Sequence, residues 1–600
     1  MGWWGNMAVE EDERLGRDQA AHVLRRTLRM MRAYRWAMLR ALGLITVWTL
    51  CQVAGPVILG IVIDDGLGYH QSMSVVAIGA IVYLGAAAVM GIFERAQIIS
   101  VNRVGESFLR DLRIRVFRHI LGLSMSFFDT EQTGRLVSRM TQDIDALEML
   151  VQQGLLVFVS SVLTFAAVVV IMLTLSPLLF LVTIALLPWI VRSSITFRRK
   201  SNVAYLSVRD RISQTLSTLQ ESISGVRIIQ AFGREDQMVQ TFRGHNRAQY
   251  EANVEAVRLS ARYFPILEFA GSFGTAAVAG VGGLMVHAKW IEVGTVVTFI
   301  TLLSYMINPV QQVSQLFNLF QSSGAALLKL YGVLDTRPAV AERQGAVDLP
   351  EHADIELHDV SFAYRPGETP TVLAGVNLQI PFGERIALVG PTGAGKSTVA
   401  KLMARFYDPV DGAVTYGGTD LRNVTFSSLR QRIAVVPQEG FLFHGTVLDN
   451  VRLGRDGATD EEVRQALLTI GSLERFEAFP DGLHTEVRER GSRLSAGERQ
   501  LVSLARAALS NPDVLILDEA TSSLDPGTEH EVEAAMNALM SGRTVIVIAH
   551  RLSTAERADR VGVVDAGRLL EIGTHSELMA QDGRYAALFA SWSGGAAAVA

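Results

Sequence analysis

The first half of the chain contains uncharged apolar runs long enough to cross a lipid bilayer. Residues 41–63 and 71–93 each match one helical span of about 20 residues. The uncharged run 149–191 is roughly twice one span, and Ser176-Pro177 near its middle predicts a tight turn between two spans. Only helices and closed barrels satisfy the backbone within lipid, and runs of this length predict helices.

Two more spans complete a predicted set of six. The fifth is residues 264–287, which include Glu268, and the sixth starts near Val293 and stays uncharged to Leu328. Glu268 could bind a cationic group or a proton, or could lie at a helix interface. In the sixth span, polar residues recur at helical spacing, which fits either a wet pathway or contacts between helices; they are Gln311, Gln315, Asn318 and Ser322.

Arginines predict how the spans are oriented. They cluster before the first span, between the second and third, and between the fourth and fifth, whereas Lys289 is the only basic residue of the opposite loops. The positive-inside rule therefore places both termini and the long loops in the cytoplasm. Residues 1–40 hold an acidic stretch and then a basic amphipathic helix, which predicts a segment lying on the inner membrane surface and no cleaved signal.

Composition excludes several classes of protein. Hydrophobic residues make up 49% of the 600, and charged residues only 19%, which argues against disorder. A net charge of −5 indicates no nucleic-acid partner. The single cysteine, Cys51, excludes a disulfide framework and a cysteine-built metal site.

The residue pattern of the chain changes after the sixth span. The predicted transmembrane domain covers residues 41–334, and residues 335–352 are polar and contain prolines, as linkers do. Residues 353–592 alternate short β-rich runs with helical patterns, which predicts an α/β domain, and residues 593–600 form a small-residue tail.

A glycine-rich loop in the second domain predicts phosphate binding. A buried-strand pattern, residues 385–389, leads into a sequence with P-loop spacing, which consists of Gly390, Pro391, Thr392, Gly393, Ala394, Gly395, Lys396, Ser397 and Thr398. Its backbone N–H groups would surround phosphate oxygens at a helix N-terminus. Lys396 would contact the β- and γ-phosphates, and the Ser397 hydroxyl would bind Mg²⁺.

A second apolar strand pattern ends on two acids. Residues 514–517 are apolar, as in a buried parallel strand, and Asp518 and Glu519 follow directly. With the P-loop present, Asp518 is expected in the Mg²⁺ shell. Glu519 is expected to polarise the water that attacks the γ-phosphorus.

The chain resembles the ATP-binding cassette (ABC) transporters, specifically a bacterial exporter-type half-transporter, because Leu494-Ser495-Ala496-Gly497-Glu498-Arg499-Gln500 matches that family's signature sequence. Several positions then match family residues in order. The resemblance implies that Tyr364 stacks on adenine, that Gln438 contacts Mg²⁺ and water, and that His550 senses the γ-phosphate. It also implies that Asp525 lies in the loop crossing the dimer interface, and that Glu489 belongs to an exporter-type loop touching the membrane domain.

The same resemblance implies a dimer in which the signature meets ATP on the other cassette. Ser495 can cap the helix that follows it, and the Gly497 amide would join an anion site there. Ala496 stands where the family most often has glycine, while Lys396, Asp518, Glu519 and His550 are all present. Asymmetric members of the family show this combination, so a heterodimer with a second half-transporter chain is favoured over a homodimer.

Two cytoplasmic segments resemble coupling helices. The first runs from Phe127-Phe128-Asp129 to Asp143 and includes Thr133-Gly134, and the second is Ala231-Phe232-Gly233-Arg234-Glu235. Phe232 is expected to anchor in a cassette groove, although an ordinary loop hydrophobe is the simpler interpretation.

The predicted fold class is an all-α six-helix transmembrane domain with long cytoplasmic extensions, followed by an α/β P-loop ATPase cassette. The predicted function is ATP- and Mg²⁺-dependent export of a lipid, drug or other amphipathic substrate across the bacterial inner membrane, in contact with membrane lipid. An importer built on the exporter fold and an ATP-gated channel are alternatives. A soluble ATPase with the same cassette is contradicted by the spans.

Overall fold

The structure is a computed structural model of the 600-residue chain, and it describes residues 17–68, 72–438, 440–518, 526–549 and 552–597. The chain divides into two compact units. The membrane unit comprises the chain up to Gly122 together with Gln132–Thr336. The cassette unit comprises Leu123–Glu131 and the chain from Arg337 onward.

The amino-terminal half is helical. Its helices are α1 (Arg17–Met31), α2 (Arg35–Ile61), α3 (Met73–Leu121), α4 (Met125–Thr130), α5 (Thr133–Ser138), α6 (Ile144–Met149), α7 (Leu155–Leu175), α8 (Pro177–Ile184), α9 (Leu187–Ser224), α10 (Val226–Ala231), α11 (Glu235–His287) and α12 (Val293–Asp335). Short 3₁₀ or π-helical turns continue several of these helices, namely Arg32–Tyr34, Val62–Gly68, Arg139–Asp143 and Leu150–Gly154.

Five described helical stretches are long and apolar enough to cross a membrane, namely Arg25–Leu67, Met73–Leu121, Thr133–Leu175, Pro177–Ser224 and Glu235–His287. Val293–Pro309 is a shorter apolar stretch at the start of the continuous helix α12. The helical membrane domain is therefore confirmed. The predicted turn is also present, because α7 ends at Leu175 and the extended Ser176 caps α8, its hydroxyl accepting from the Leu179 N–H at 3.4 Å.

Helices α2 and α12 approach each other closely through glycine. A Cβ at Gly60 would lie 2.2 Å from the Thr298 Oγ1 atom, and a Cβ at Gly294 would lie 2.0 Å from the Gly60 oxygen. The Asp64 carboxylate accepts from the Gly294 N–H at 2.5 Å and so caps the start of α12. Small residues permit this contact between backbones, as in other membrane helix pairs.

Helix α1 packs partly against other helices of the membrane unit. Val23 and Met31 are about 5% exposed or less, in one apolar cluster with Phe108 and Leu112 of α3 and Tyr331 of α12. Protein therefore covers part of the apolar face of α1, whereas Leu28 remains 52% exposed, and the position of this helix at the membrane surface stays a prediction. The reason is that α3 and α12 continue far beyond their apolar spans and present apolar side chains of their own.

The cassette unit is α/β, as predicted. Its strands are β1 (Ile355–Phe362), β2 (Leu373–Ile380), β3 (Arg385–Val389), β4 (Asp411–Tyr416), β5 (Thr419–Asp420), β6 (Ile433–Val436), β7 (Gly445–Thr446), β8 (Glu486–Val487), β9 (Val514–Asp518), β10 (Thr544–Ile548), β11 (Arg560–Asp565) and β12 (Arg568–Gly573). Its remaining helices are α13 (Lys396–Met403), α14 (Phe426–Arg432), α15 (Val447–Arg452), α16 (Asp460–Thr469), α17 (Leu473–Glu477), α18 (Ala496–Ser510), α19 (Pro526–Met540), α20 (Leu552–Glu556), α21 (His575–Ala580) and α22 (Arg584–Ala597).

A six-stranded sheet of order β12-β11-β3-β10-β9-β6 forms the centre of the cassette unit. All of its pairs are parallel except β11 with β12. In register, Ile548 of β10 lies between Leu388 of β3 and Asp518 of β9, while Val436 of β6 pairs with Leu517. The carboxyl ends of β3, β10, β9 and β6 therefore meet at one edge, where ligands bind in open α/β sheets.

Candidate active site

The P-loop leaves the central strand β3 at this edge and enters α13. Gly390, Gly393 and Gly395 have φ values of 145°, 83° and 110°, which side chains disfavour. A Cβ at Gly390 would also lie 1.9 Å from the Val564 oxygen, and one at Gly395 2.6 Å from the Leu373 side chain. At Gly390 and Gly395, glycine is thus required both by the backbone conformation and by the lack of space for a Cβ atom.

Lys396 begins α13 beneath the loop and is 5% exposed. Its Nζ donates to the Gly390 carbonyl at 2.7 Å and to the Pro391 carbonyl at 3.0 Å. These bonds hold the ammonium inside the loop, which is where phosphate oxygens would meet it. Ser397 is exposed on the first turn of the same helix, and Thr398 is buried beside it.

Tyr364 lies beside the P-loop helix α13. Its hydroxyl is 3.1 Å from the Thr398 hydroxyl, and its ring meets those of Phe362 and Tyr407 edge to face at 5.0 and 5.2 Å. The Lys401 ammonium lies 5.4 Å from the centre of the same ring. These neighbours fix the orientation of the half-buried tyrosine.

Asp518 and Gln438 follow the ends of neighbouring strands at the same edge. Asp518 closes β9, and the exposed Gln438 comes two residues after β6. Ser397, Gln438 and Asp518 would offer a hydroxyl, an amide oxygen and a carboxylate, which are ligands that Mg²⁺ accepts alongside phosphate and water.

Three predicted residues, Glu519, Asp525 and His550, lie outside the described part of the chain. The residues just before Glu519 and His550, Asp518 and Ala549, are at the ligand edge, and the Ala549 N–H donates to the Leu388 carbonyl at 3.0 Å. Glu489 opens a 3₁₀ turn, Glu489–Gly491, but its side chain is also outside the description.

The signature sequence starts helix α18. Ser495 is its N-cap: the Ser495 hydroxyl accepts from the Glu498 N–H at 3.2 Å, and the Glu498 carboxylate accepts from the Ser495 N–H at 2.7 Å. The predicted cap is therefore confirmed as a capping box. Sequence reasoning missed a packing role for Gly497, whose Cβ would lie 1.8 Å from the Thr528 methyl group of α19.

The first predicted coupling segment is divided: its residues up to Glu131 belong to the cassette unit, and those from Gln132 belong to the membrane unit. Helix α4 carries Asp129, whose carboxylate accepts from the Tyr407 hydroxyl and lies 3.7 Å from the Lys401 Nζ. Burial, and then the hydrogen bond to Asp129, raise the pKa of Tyr407 above its ordinary value. The hydroxyl therefore remains protonated and donates at neutral pH. This junction, defined by Asp129, Lys401 and Tyr407, joins the coupling segment to the neighbours of Tyr364.

The second predicted coupling segment follows α10 in the membrane unit. Phe232 is 75% exposed, and Gly233 next to it has a φ of 60°. An aromatic side chain this exposed is available to a partner surface.

The residues considered for a substrate pathway are only partly described. Glu268 is exposed on α11, and Ser322 of α12 donates to the Leu319 carbonyl at 3.1 Å. The side chains of Gln311, Gln315 and Asn318 lie outside the description. Their neighbour Gln312 accepts from the buried Ser161 of α7 at 2.8 Å, so at least one polar contact joins these helices.

The described residues fit a bound nucleotide. Two glycines of the P-loop stand where a Cβ would collide, a buried ammonium lies inside the loop, and an aromatic side chain lies next to it. This donor set provides backbone N–H groups and one cation for phosphate and a ring for a base.

Comparison with known proteins gives the family. Residues 38–310 match the family model of the ABC transporter transmembrane region, and residues 373–522 match that of the ABC transporter. An uncharacterized ABC transporter ATP-binding protein of Bacillus subtilis, YknV, is 38% identical over 489 residues, 81% of each chain. An ATP-dependent lipid A-core flippase of Desulfotalea psychrophila is 37% identical over 505 residues, 83% of this chain and 87% of that one.

A solved structure extends the likeness to the fold. The structure of a bacterial Atm1-family ABC exporter with ATP bound superposes with a TM-score of 0.75 at 28% identity, covering 93% of this chain and 98% of that one. The fused family matches and the relatives agree with the phosphate-binding edge described above. This chain belongs to the ABC transporters, as an exporter-type protein in which a helical membrane domain is joined to an ATPase cassette.

Proposed function

We propose that this chain pairs with a second half-transporter and exports a lipid or another amphipathic compound across the bacterial inner membrane. The observation that carries the proposal is that one chain contains the P-loop, the signature helix and the membrane-spanning helices. The lipid A-core flippase among the relatives supports a lipid-like substrate. Arginine placement supports cytoplasmic termini and a cytoplasmic ATPase cassette.

ATP and Mg²⁺ would be held by the residues at the sheet edge. Tyr364 would stack on the base, and residues 390–398 would surround the phosphates through backbone N–H groups and Lys396. Mg²⁺ would neutralise phosphate charge, with Ser397, Gln438 and Asp518 around it. Glu519 would accept a proton from the attacking water, and His550 would contact the γ-phosphate.

The signature helix would complete the site of the other chain. Ser495 and Gly497 stand at the start of α18, whose N–H groups can meet the γ-phosphate bound to a partner cassette, and Asp525 would cross that interface. ATP would hold the closed pair together, and its hydrolysis would remove the contact that favours closure. Ala496 supports a heterodimer. A stable, ATPase-active homodimer of this chain alone would contradict that part.

Transport in vesicles tests the proposal. The chain is purified together with the partner that accompanies it and reconstituted with fluorescent lipids that differ only in headgroup. The expected result is ATP-dependent movement of at least one lipid from the cassette side to the opposite leaflet, abolished in Lys396→Ala. Hydrolysis without movement of any amphipathic probe would contradict export, and movement toward the cassette side would favour import.

A further inference from the structure

A basic cavity lies in the cytoplasmic part of the membrane unit, apart from the nucleotide site. It is a solvent-open space of about 820 Å³ between α1, α3 and the end of α12. Arginines from two helices form much of its wall, Arg26 and Arg29 from α1 and Arg115 and Arg118 from α3. Asp111 is the only acidic residue among the described residues that line it. We call this space the α1–α3 cavity.

Most of the positive charge of this cavity is not neutralised within the chain. Arg26 is paired, since its guanidinium donates to Asp335 at 2.7 and 2.8 Å. Asp111 is already engaged, because it accepts from the Tyr34 hydroxyl at 2.5 Å and from Arg110 at 2.8 Å. The side chains of the other three cavity arginines, all exposed, have no hydrogen-bond or ion-pair partner within residues 17–68, 72–438 and the later described ranges, although Arg115 interacts electrostatically with Asp111.

Like charges on the two sides of this cavity repel, water and salt weaken that repulsion between exposed groups, and an anion between them turns it into attraction. Arg29 projects from α1 and Arg118 from α3, and these two helices are held together by an apolar cluster that includes Val23 and Val116. Guanidinium groups recognise phosphate in a bidentate manner, and several together select anions with several oxygens. The volume is in the range of small-molecule sites.

The depth of the cavity distinguishes a soluble anion from a lipid headgroup. Asp111 lies roughly 18 residues beyond Phe93, the end of the uncharged run on α3, which is a rise of about 27 Å. The headgroup layer extends only roughly 6 Å beyond the hydrocarbon on each side. The count on α2 is shorter, because Tyr34, whose hydroxyl contacts Asp111, precedes Ala41 by seven residues, a rise of about 10 Å. Both counts place the cavity beyond the headgroup layer, by a narrower margin on α2, and so favour a soluble anion.

We propose that the α1–α3 cavity binds a soluble anion carrying a phosphate or diphosphate group, which joins α1 to α3 through Arg29 on one side and Arg118 on the other. Such a ligand binds at a site distinct from the P-loop edge, and it stabilises the docked position of α1. The proposal concerns binding and does not depend on which substrate is transported.

Thermal unfolding of the full-length complex with inorganic pyrophosphate tests this proposal. ADP at saturating concentration fills the cassette site in every sample, and sodium chloride keeps the ionic strength constant. Arg29→Gln and Arg118→Gln remove one cavity arginine each. Arg25→Gln is the matched control, because Arg25 is exposed on the same helix but does not line the cavity.

Pyrophosphate is expected to raise the unfolding temperature of the wild type and of Arg25→Gln equally. Each cavity variant should weaken the apparent pyrophosphate affinity by about tenfold, the loss expected for one charge-assisted hydrogen bond. If one cavity variant fails to fold, the other helix still provides a variant. Equal protection of cavity variants and control would overturn the proposal, as would equal loss in all three.

A second arm distinguishes the source of the phosphate group. The complex is reconstituted without soluble phosphate in vesicles of phosphatidylcholine or of phosphatidylglycerol, and α1 docking is read from protease protection. Equal protection in the two lipids, increased by added pyrophosphate, supports a soluble ligand. Protection that depends on phosphatidylglycerol and is lost in Arg118→Gln would overturn the assignment to a soluble anion.

Discussion

The cassette unit and the membrane unit differ in how their buried polar groups are satisfied. Seven buried side-chain polar atoms lack a partner within the described part of the chain, and five of them are on α2 and α3. They belong to Trp48, Thr49, Gln52, Gln97 and Ser100. The cassette unit holds the other two, on Arg432 and Thr485, and four of its helices also begin with complete capping boxes at exposed positions.

This difference indicates that function can be inferred from residue type in the cassette unit more readily than in the membrane unit. Phosphate chemistry requires particular residues at fixed places, so the cassette has motifs that can be recognised. Each unpaired buried polar group costs about 1–3 kcal/mol, so α2 and α3 retain groups that do not serve the stability of this chain by itself. Four mutational tests follow, from the largest expected effect to the smallest. They examine which unit each of catalysis, coupling and stability depends on.

Glu519→Gln should have the largest effect, confined to the cassette. Loss of the proposed catalytic base is expected to lower steady ATP hydrolysis on the order of a hundredfold or more while bound ATP is retained. Phosphate release and nucleotide retention measure the two effects. Glu461→Gln, at an exposed position of α16, is the control. Turnover near that of the control would reject the role of Glu519.

Phe232→Ala tests the exposed end of the membrane unit. Truncation of an interface anchor costs about 2 kcal/mol, so transported probe per ATP should fall roughly 30-fold while nucleotide binding is kept. Tyr250→Ala, an aromatic residue of α11 that is 66% exposed, should leave the ratio unchanged. If the amount of probe transported per ATP is unchanged in Phe232→Ala, this side chain is an ordinary hydrophobic residue of a loop and not an anchor.

Gly497→Ala separates packing from phosphate binding at the signature. The added methyl meets the Thr528 side chain at 1.8 Å, so the free energy of unfolding should fall by about 1–3 kcal/mol, as overpacking typically costs. Thr528→Ser removes the methyl group in contact and keeps the hydroxyl, so the double variant should regain stability. Failure of the second change to restore it would exclude the packing explanation.

Tyr407→Phe should have the smallest effect. It removes the hydroxyl that donates to Asp129, which should lower the free energy of unfolding by about 1 kcal/mol. The measurement is a double-mutant cycle with Asp129→Ala, in which the two losses should not add. Additive losses would mean that the junction does not couple these residues.

The elements that could be predicted from sequence are those determined by residues close together in the chain. Ser176-Pro177 breaks the long apolar run because proline begins a new helix, and Ser495 starts α18 because its partner Glu498 is three residues away. The P-loop follows from spacing within nine residues. Each of these depends on neighbours in the sequence.

The features that were missed depend on residues distant in the chain. Tyr407 and Asp129 are 278 positions apart, and only folding brings them together. The approach of Gly60 to Gly294 and the packing of Gly497 on Thr528 also join separate helices. The packing of Val23 and Met31 of α1 on α3 and α12 was also missed, because an amphipathic pattern shows which face is apolar but not what covers it.

The central claim is that ATP hydrolysis in the cassette drives movement of a compound by the membrane unit. Phosphate release and transfer of a fluorescent lipid are measured together in vesicles that hold the complex, with wild-type chain and with Glu519→Gln. We predict that both proceed in the wild type and that both stop in the variant. Lipid transfer that continues at the wild-type rate without hydrolysis would contradict the claim.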